Sequence, residues 1–131
     1  MARRQVDSGG PWEVLVRYSR VVRVGDHVVI SGTTAIQPDG SVVGEGDVAA
    51  QAREVFRRIA AALEAVDASL ADVVRTRTFV TDISQWEVVG RVHGEVFGQI
   101  RPAATMVEVS RLITPGLLVE IEADAIVQDG H

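Results

Sequence analysis

A carboxylate, a histidine and a cluster of hydroxyls are the groups in this sequence whose types and surroundings suit chemistry. Glu120 lies in the run from Leu117 to Val127, where Val119, Ile121, Ala123 and Ala125 share one side. Glu120, Glu122 and Asp124 share the other. A pocket that strips water from such a carboxylate raises its pKa and equips it as a general acid or base. The alternative is a cross-strand ion pair with Arg75 or Arg77. His93 sits between Val92 and Gly94 on a helical stretch and is either a general base or a helix-surface histidine. His27 stands beside a turn, and His131 is the last residue. No two histidines have H-x-x-x-H spacing, so no metal site is expected. Ser31-Gly32-Thr33-Thr34 offers hydroxyls and a pliant backbone near a strand end. It lacks the G-x-S-x-G of a nucleophile elbow, which argues against a serine hydrolase. Tyr18 reads as a strand residue in the core or lining a pocket.

Composition removes other chemistries. The 131 residues include no cysteine, no lysine and no asparagine. Thiol nucleophiles, iron–sulfur clusters, cysteine zinc sites, Schiff-base catalysis and a P-loop lysine are therefore excluded. The glycines form neither G-x-G-x-x-G nor a Walker loop, so nucleotide binding has no support. A net charge of −5 with scattered arginines argues against nucleic acid. No apolar run approaches the ~18 residues of a membrane span. The two arginines of the N-terminus precede no apolar stretch, so no signal peptide is expected, and cytoplasm is the default location. With 47% apolar residues the chain reads as one globular domain over 1–131, with a flexible N-terminal segment over 1–13.

The elements that position these residues follow from periodicity. Arg17 to Val24 and His27 to Thr34 read as strands around a two-residue Gly25-Asp26 turn. Pro38-Asp39-Gly40 marks another turn. Asp47 caps a helix whose apolar face is Val48, Ala52, Val55, Ile59, Ala62, Leu63 and Val66, with Arg53, Arg57 and Glu64 off that face. Val73 to Thr81 is a third strand. Ser84 and Glu87 match a capping box, with Ile83 stapling to Val88, for a second helix from Gln85 to about Phe97 that Gly98 ends. Strands Ala103–Leu112 and Leu117–Val127 close the order β-β-α-β-α-β-β, an α+β sandwich with both helices on one face of the sheet. The opposite face then mixes Arg75, Arg77, Glu108, Glu120 and Glu122 with Phe79 and Met106. It is either solvated or a subunit interface.

Several separated segments resemble the RidA/YjgF family. They are Val28-Val29-Ile30-Ser31-Gly32, Gly46-Asp47-Val48-Ala49-Ala50-Gln51-Ala52-Arg53, Asp72-Val73-Val74-Arg75-Thr76 and Phe79-Val80-Thr81-Asp82. Arg101-Pro102-Ala103 and Val119-Glu120-Ile121-Glu122-Ala123 complete the set, and the likeness runs from about Tyr18 to Val127. The resemblance implies a chorismate-mutase-like (YjgF-like) sheet. It also implies a homotrimer whose sheets form a central barrel with clefts between subunits. Members with the family's best-known activity hydrolyse enamines and imines such as 2-aminoacrylate and 2-iminopropionate to a keto acid and ammonia, without a cofactor. An arginine in P-A-R-[ST] clamps the substrate carboxylate there, a task suited to a bidentate guanidinium. A glutamate in E-I-E-A positions the attacking water.

Carried onto this chain, the resemblance places that glutamate at Glu120, the cleft tyrosine at Tyr18 and the cleft backbone at Ser31 and Gly32. Phe79 and Thr105 join the substrate-binding set. The arginine position is Ala104, in Pro102-Ala103-Ala104-Thr105. The small residue two places on is Met106, the cleft asparagine is Gly90, and the aromatic three residues later is His93. Single charged hydrogen bonds are worth ~1.5–3 kcal/mol, so losing a bidentate clamp costs several. The expectation is a cofactor-free homotrimer with an altered, more apolar cleft that transforms a small, less anionic metabolite. Glu120 would be the acid/base, His93 would assist and Tyr18 would donate a hydrogen bond. An imine deaminase with a substitute carboxylate anchor and a non-catalytic small-ligand binding protein are the alternatives.

Overall fold

The computed structural model describes residues 2–128, so His131 lies outside the described residues. The elements run β1 (Arg3–Val6), α1 (Glu13–Val16), β2 (Val21–Val24), β3 (His27–Thr33), α2 (Val48–Ala65), β4 (Val73–Val80), α3 (Trp86–Phe97), β5 (Ala103–Glu108) and β6 (Val119–Ile126). The six strands form one sheet in the order β1-β2-β3-β6-β4-β5. All pairings are antiparallel except β4 with β5. The architecture is the expected α+β sheet, with α2 and α3 contributing their apolar faces to one core.

Alternation decides what that core contains. Val119, Ile121, Ala123 and Ala125 of β6 are buried, as are Thr76, Thr78 and Val80 of β4. Against them α2 buries Ala52, Val55, Phe56, Ile59, Ala62 and Leu63. Asp47 caps α2 through its side chain, which accepts from the Ala50 amide at 3.1 Å. Gln51, fully buried, is fully used. It donates to the carbonyls of Gly44 and Gly116 and accepts from the Leu118 amide. It thereby ties α2 to the segment that leads into β6, two residues before Glu120.

Four expectations need correction. The segment 1–13, expected to be flexible, contributes β1, paired with β2, and the start of α1. Tyr18 precedes β2 rather than lying in a strand, because Arg17 adopts a left-handed conformation with φ 69° that ends α1 and turns the chain. The Ser84–Glu87 capping box does not form. Asp82 instead accepts from the Ser84 amide and hydroxyl and opens a short 3₁₀ turn, Ile83–Gln85, ahead of α3. Met106 and Glu108 do not share the charged sheet face. The parallel register Thr76↔Ala104, Thr78↔Met106 and Val80↔Glu108 puts them on the helix side. Alternation along β5 leaves the choice of face open, and its pairing with β4 decides it.

Candidate functional site

The groups expected to work together fall into two separate depressions. The larger, about 880 Å³, is lined by Tyr18, Arg20, Ser31, Gly32 and Glu120, and by the chain from Val6 to Glu13. The smaller, about 230 Å³, is lined by Thr78, Gly90, His93, Ala104, Thr105 and Met106. Glu120 pairs with Phe79 across β6 and β4, so both side chains belong to the open sheet face. Ala104 pairs with buried Thr76 and so belongs to the helix side of the edge strand β5. Within one chain the two sets do not meet.

The larger depression depends on an irregularity in the sheet. The β3–β6 register shifts between Ile30 and Thr33. Gly32 lies in this irregular stretch, and a Cβ added there would come within 2.0 Å of Glu120 Oε2. Only glycine leaves room for the carboxylate. Arg20 organises the rest. Its Nη1 donates to the Gly32 carbonyl at 2.7 Å, to Thr33 Oγ1 at 3.0 Å and to the Ser31 carbonyl at 3.3 Å. Its Nη2 reaches the Tyr18 hydroxyl at 3.4 Å, and the guanidinium lies 5.6 Å from the Tyr18 ring centre. Because the phenol oxygen accepts from Arg20, its O–H is left to donate into the depression. The Ser31 hydroxyl is spent on the Ser19 carbonyl at 2.6 Å.

Glu13 anchors the rim. Its carboxylate is buried and accepts from the Ser8 hydroxyl at 2.6 Å, the Ser8 amide at 2.9 Å and the Gly10 amide at 3.2 Å. Arg20 Nη2 lies 3.6 Å away. Burial pushes the Glu13 carboxyl up, but Ser8, Arg20 and Gly10 together hold it below its usual value. Glu120 goes the other way. Burial raises its pKa, Arg20 opposes that, and Glu122 adds repulsion. It forms no ion pair among the described residues. The expected cross-strand partner Arg77 is taken by Glu122 and Asp124, each at 3.3 Å. A carboxylate with a raised pKa and no salt-bridge partner, facing a cavity, is equipped for proton transfer.

The smaller depression is built differently. His93 is half-buried rather than a free helix-surface residue. Its ring lies 4.6 Å from Phe97 and 5.7 Å from Phe56, edge-on to the latter. Its Nε2 is 2.9 Å from Thr76 Oγ1. Burial lowers its pKa and so favours the neutral ring, the form a general base requires. Gly90 lies one helical turn earlier, with nothing within 4 Å of the Cβ it lacks. Ala104 and Thr105 are exposed, and Met106 is partly buried against the core. This half holds no charged side chain. His27 is exposed and lines neither depression. No cluster of three or more potential metal ligands occurs among the described residues.

Arg20 and Glu13 were missed in the sequence. Tyr18 and Arg20 are two residues apart, which puts them on one side of an extended chain. That parity was the available signal. Glu13 carried none, because its burial depends on a fold-back of residues 8–10.

Comparison with known proteins agrees with the fold. The family model described as Endoribonuclease L-PSP matches residues 11–127. An uncharacterised protein of Streptomyces coelicolor, SCO2049, is 36% identical over 124 residues, 95% of this chain and 92% of its own. A RutC family protein of Pyrococcus abyssi is 36% identical over 108 residues, 82% of this chain and 84% of its own. Among solved structures, Rv2704 of Mycobacterium tuberculosis, described as a member of the YjgF/YER057c/UK114 family, is 55% identical. It covers 96% of this chain and 100% of its own, with a TM-score of 0.88. The YjgF gene product of E. coli is 29% identical with a TM-score of 0.81, covering 95% of this chain and 99% of its own. The family model spans nearly all of the chain and the solved relatives share its fold, so the chain belongs to the YjgF/L-PSP (Rid) family.

Proposed function

We propose that this chain is a cofactor-free acid/base catalyst acting on a small, weakly anionic metabolite in clefts between the subunits of a homotrimer. The observation that carries this is Glu120: a carboxylate with a raised pKa, admitted to a cavity by Gly32 and free of any ion pair among the described residues. In this reading Glu120 takes a proton from, or returns one to, a water or substrate atom, and Tyr18 donates a hydrogen bond to the reacting group. The open sheet face is the subunit interface. The His93–Ala104 depression of one copy then faces the Glu120 depression of the next, which supplies the contact one chain lacks. The absence of a charged side chain in the His93–Ala104 half fits a substrate without a carboxylate to clamp. The family model's description names a ribonuclease, but a net charge of −5 disfavours a polyanionic substrate.

A second reading keeps imine deamination with Arg20 as the carboxylate anchor. It is favoured by the looseness of Arg20 Nη2, whose partners stand at 3.4 and 3.6 Å. Light scattering tests the assembly on which both depend. Three chains per particle support the intersubunit cleft, and a folded monomer overturns it.

A further inference from the structure

The Glu120 depression does not end at its polar groups. The same cavity continues past Tyr18 and Arg20 beneath residues 7–13 to the flank of α2. Arg58, Ala61, Ala62 and Ala65 lie on that flank, one turn apart. Val6, Trp12 and Ile36 complete its walls. Ala61 and Ala65 remain exposed although they face this space. The cavity is therefore two-ended. One end holds the hydroxyl, guanidinium and carboxylate, and the other is mainly aliphatic, with Asp7, Arg57 and Arg58 also in its lining.

The cover over the aliphatic end is a fixed part of the fold. Glu13 gathers the Ser8 and Gly10 backbone amides onto its own carboxylate, which holds residues 8–13 folded back. The same carboxylate stands 3.6 Å from Arg20, which in turn holds the Ser31–Gly32 carbonyls. Roof and reacting end are thus joined through hydrogen bonds and the Glu13–Arg20 ion pair into one framework. Arg57 and Arg58, both in the lining, share Glu54, with Arg58 Nε–Oε2 at 2.7 Å, and the Arg58 Nη1 is spent on the Thr34 carbonyl at 2.8 Å. Both guanidinium groups are thus paired rather than held open for an anion. A cavity of about 880 Å³ falls in the range of sites that enclose molecules well beyond three carbons.

We infer that the compartment between residues 7–13 and α2 is a specificity subsite for an unbranched apolar tail on the metabolite whose head lies at Glu120. This rests on the proposed reading of the Glu120 cleft and names its ligand class: a small polar head carrying an aliphatic chain. Continuity of the two ends in one cavity fixes the occupant as the tail of the same molecule.

The test uses the full chain and a neutral series of primary 2-oxo amides with three, five and eight carbons. Affinity is measured by calorimetry, and the Gly32 amide resonance is followed by NMR. The expected result is a gain of up to about fourfold per methylene until the compartment is filled. Ala61→Trp, at an exposed helical position, removes the dependence on chain length and leaves the three-carbon amide within twofold. Ala65→Leu does the same to a smaller degree, so a folding fault in the first variant does not decide the matter. Equal affinity across the series, with the Gly32 resonance still shifting, overturns the tail subsite and leaves the cleft standing. A length dependence unchanged in both variants does the same. No binding by any member and a silent Gly32 resonance overturn both the subsite and the cleft.

Discussion

The two halves of the candidate site are built by opposite means. The Glu120 half is about 880 Å³, and hydrogen bonds from four segments converge on it: residues 8–10, Glu13, Tyr18–Arg20 and Ser31–Thr33. The His93 half is about 230 Å³ and is shaped by small or neutral side chains on α3 and β5. A catalytic carboxylate needs a rigid frame, because burying a charge is costly unless its surroundings are fixed and polar. A pocket wall of Gly90, Ala104 and Thr105 needs no such frame and is free to change with the ligand. Under the proposed function, chemistry and selectivity are divided between the halves, the first held in place by its hydrogen bonds and the second open to retuning.

Breaking the rigid half has the largest expected effect. Glu120→Gln lowers kcat by about 10²- to 10⁴-fold while the fold persists, checked by steady-state kinetics on any substrate the chain turns over. If Glu120 acts as base, the acid limb of the wild-type kcat/KM profile lies above the ordinary value of 4.5, because burial raises this carboxyl. That limb vanishes in the variant.

Gly32→Ala comes next. Its Cβ would stand 2.0 Å from Glu120 Oε2, so the carboxylate must move, and displacement on the ångström scale costs roughly 100-fold. A crystal structure of the variant would show the shifted Glu120.

Glu13→Ala tests the frame itself. It leaves the Ser8 and Gly10 amides without their acceptor and removes the carboxylate paired with Arg20, costing about 3 kcal/mol by urea denaturation. The sign of the pH effect follows from its lowered folded pKa. The wild-type contribution is present above the unfolded value near 4.5 and is lost as pH falls through the folded one. The alanine variant lacks that part of the acid sensitivity.

The smallest effects belong to the soft half. Gly94→Ala and Gly90→Ala each add a Cβ that meets nothing within 4 Å on the helix α3, and each stabilises by up to about 1 kcal/mol in thermal melts. Gly94 lines neither depression, so only Gly90→Ala alters ligand affinity.

Much of this frame was legible in the sequence. The alternation of Val119 to Ala125 gave the buried side of β6, and the spacing from Val48 to Val66 gave the core face of α2. The Gly25-Asp26 turn fixed the β2–β3 register, Val24 pairing with His27. These signals are local, and period alone carries them. What stayed hidden depends on contacts distant in sequence or on competition between neighbouring caps. The face of β5 was set by its parallel register with β4, and Asp82 outcompeted Ser84 as the cap through its own short-range hydrogen bonds. At the site, Glu120 and the Ser31–Gly32 turn could be named from the sequence. The role of Arg20 was harder to read, because its shortest contact is the Gly32 carbonyl, and carbonyls leave no mark on the residue types around them.

The proposed function requires an intact acid/base half beside a selectivity half retuned away from carboxylate substrates. Hydrolysis of 2-iminopropionate, generated in situ by an amino-acid oxidase, tests it most directly with wild type beside Ala104→Arg and Ala104→Arg/Glu120→Gln. The account expects no acceleration by wild type, clear hydrolysis by the arginine variant, and its loss when Glu120 is also replaced. Efficient hydrolysis by wild type, or an arginine variant indifferent to Glu120, would contradict it.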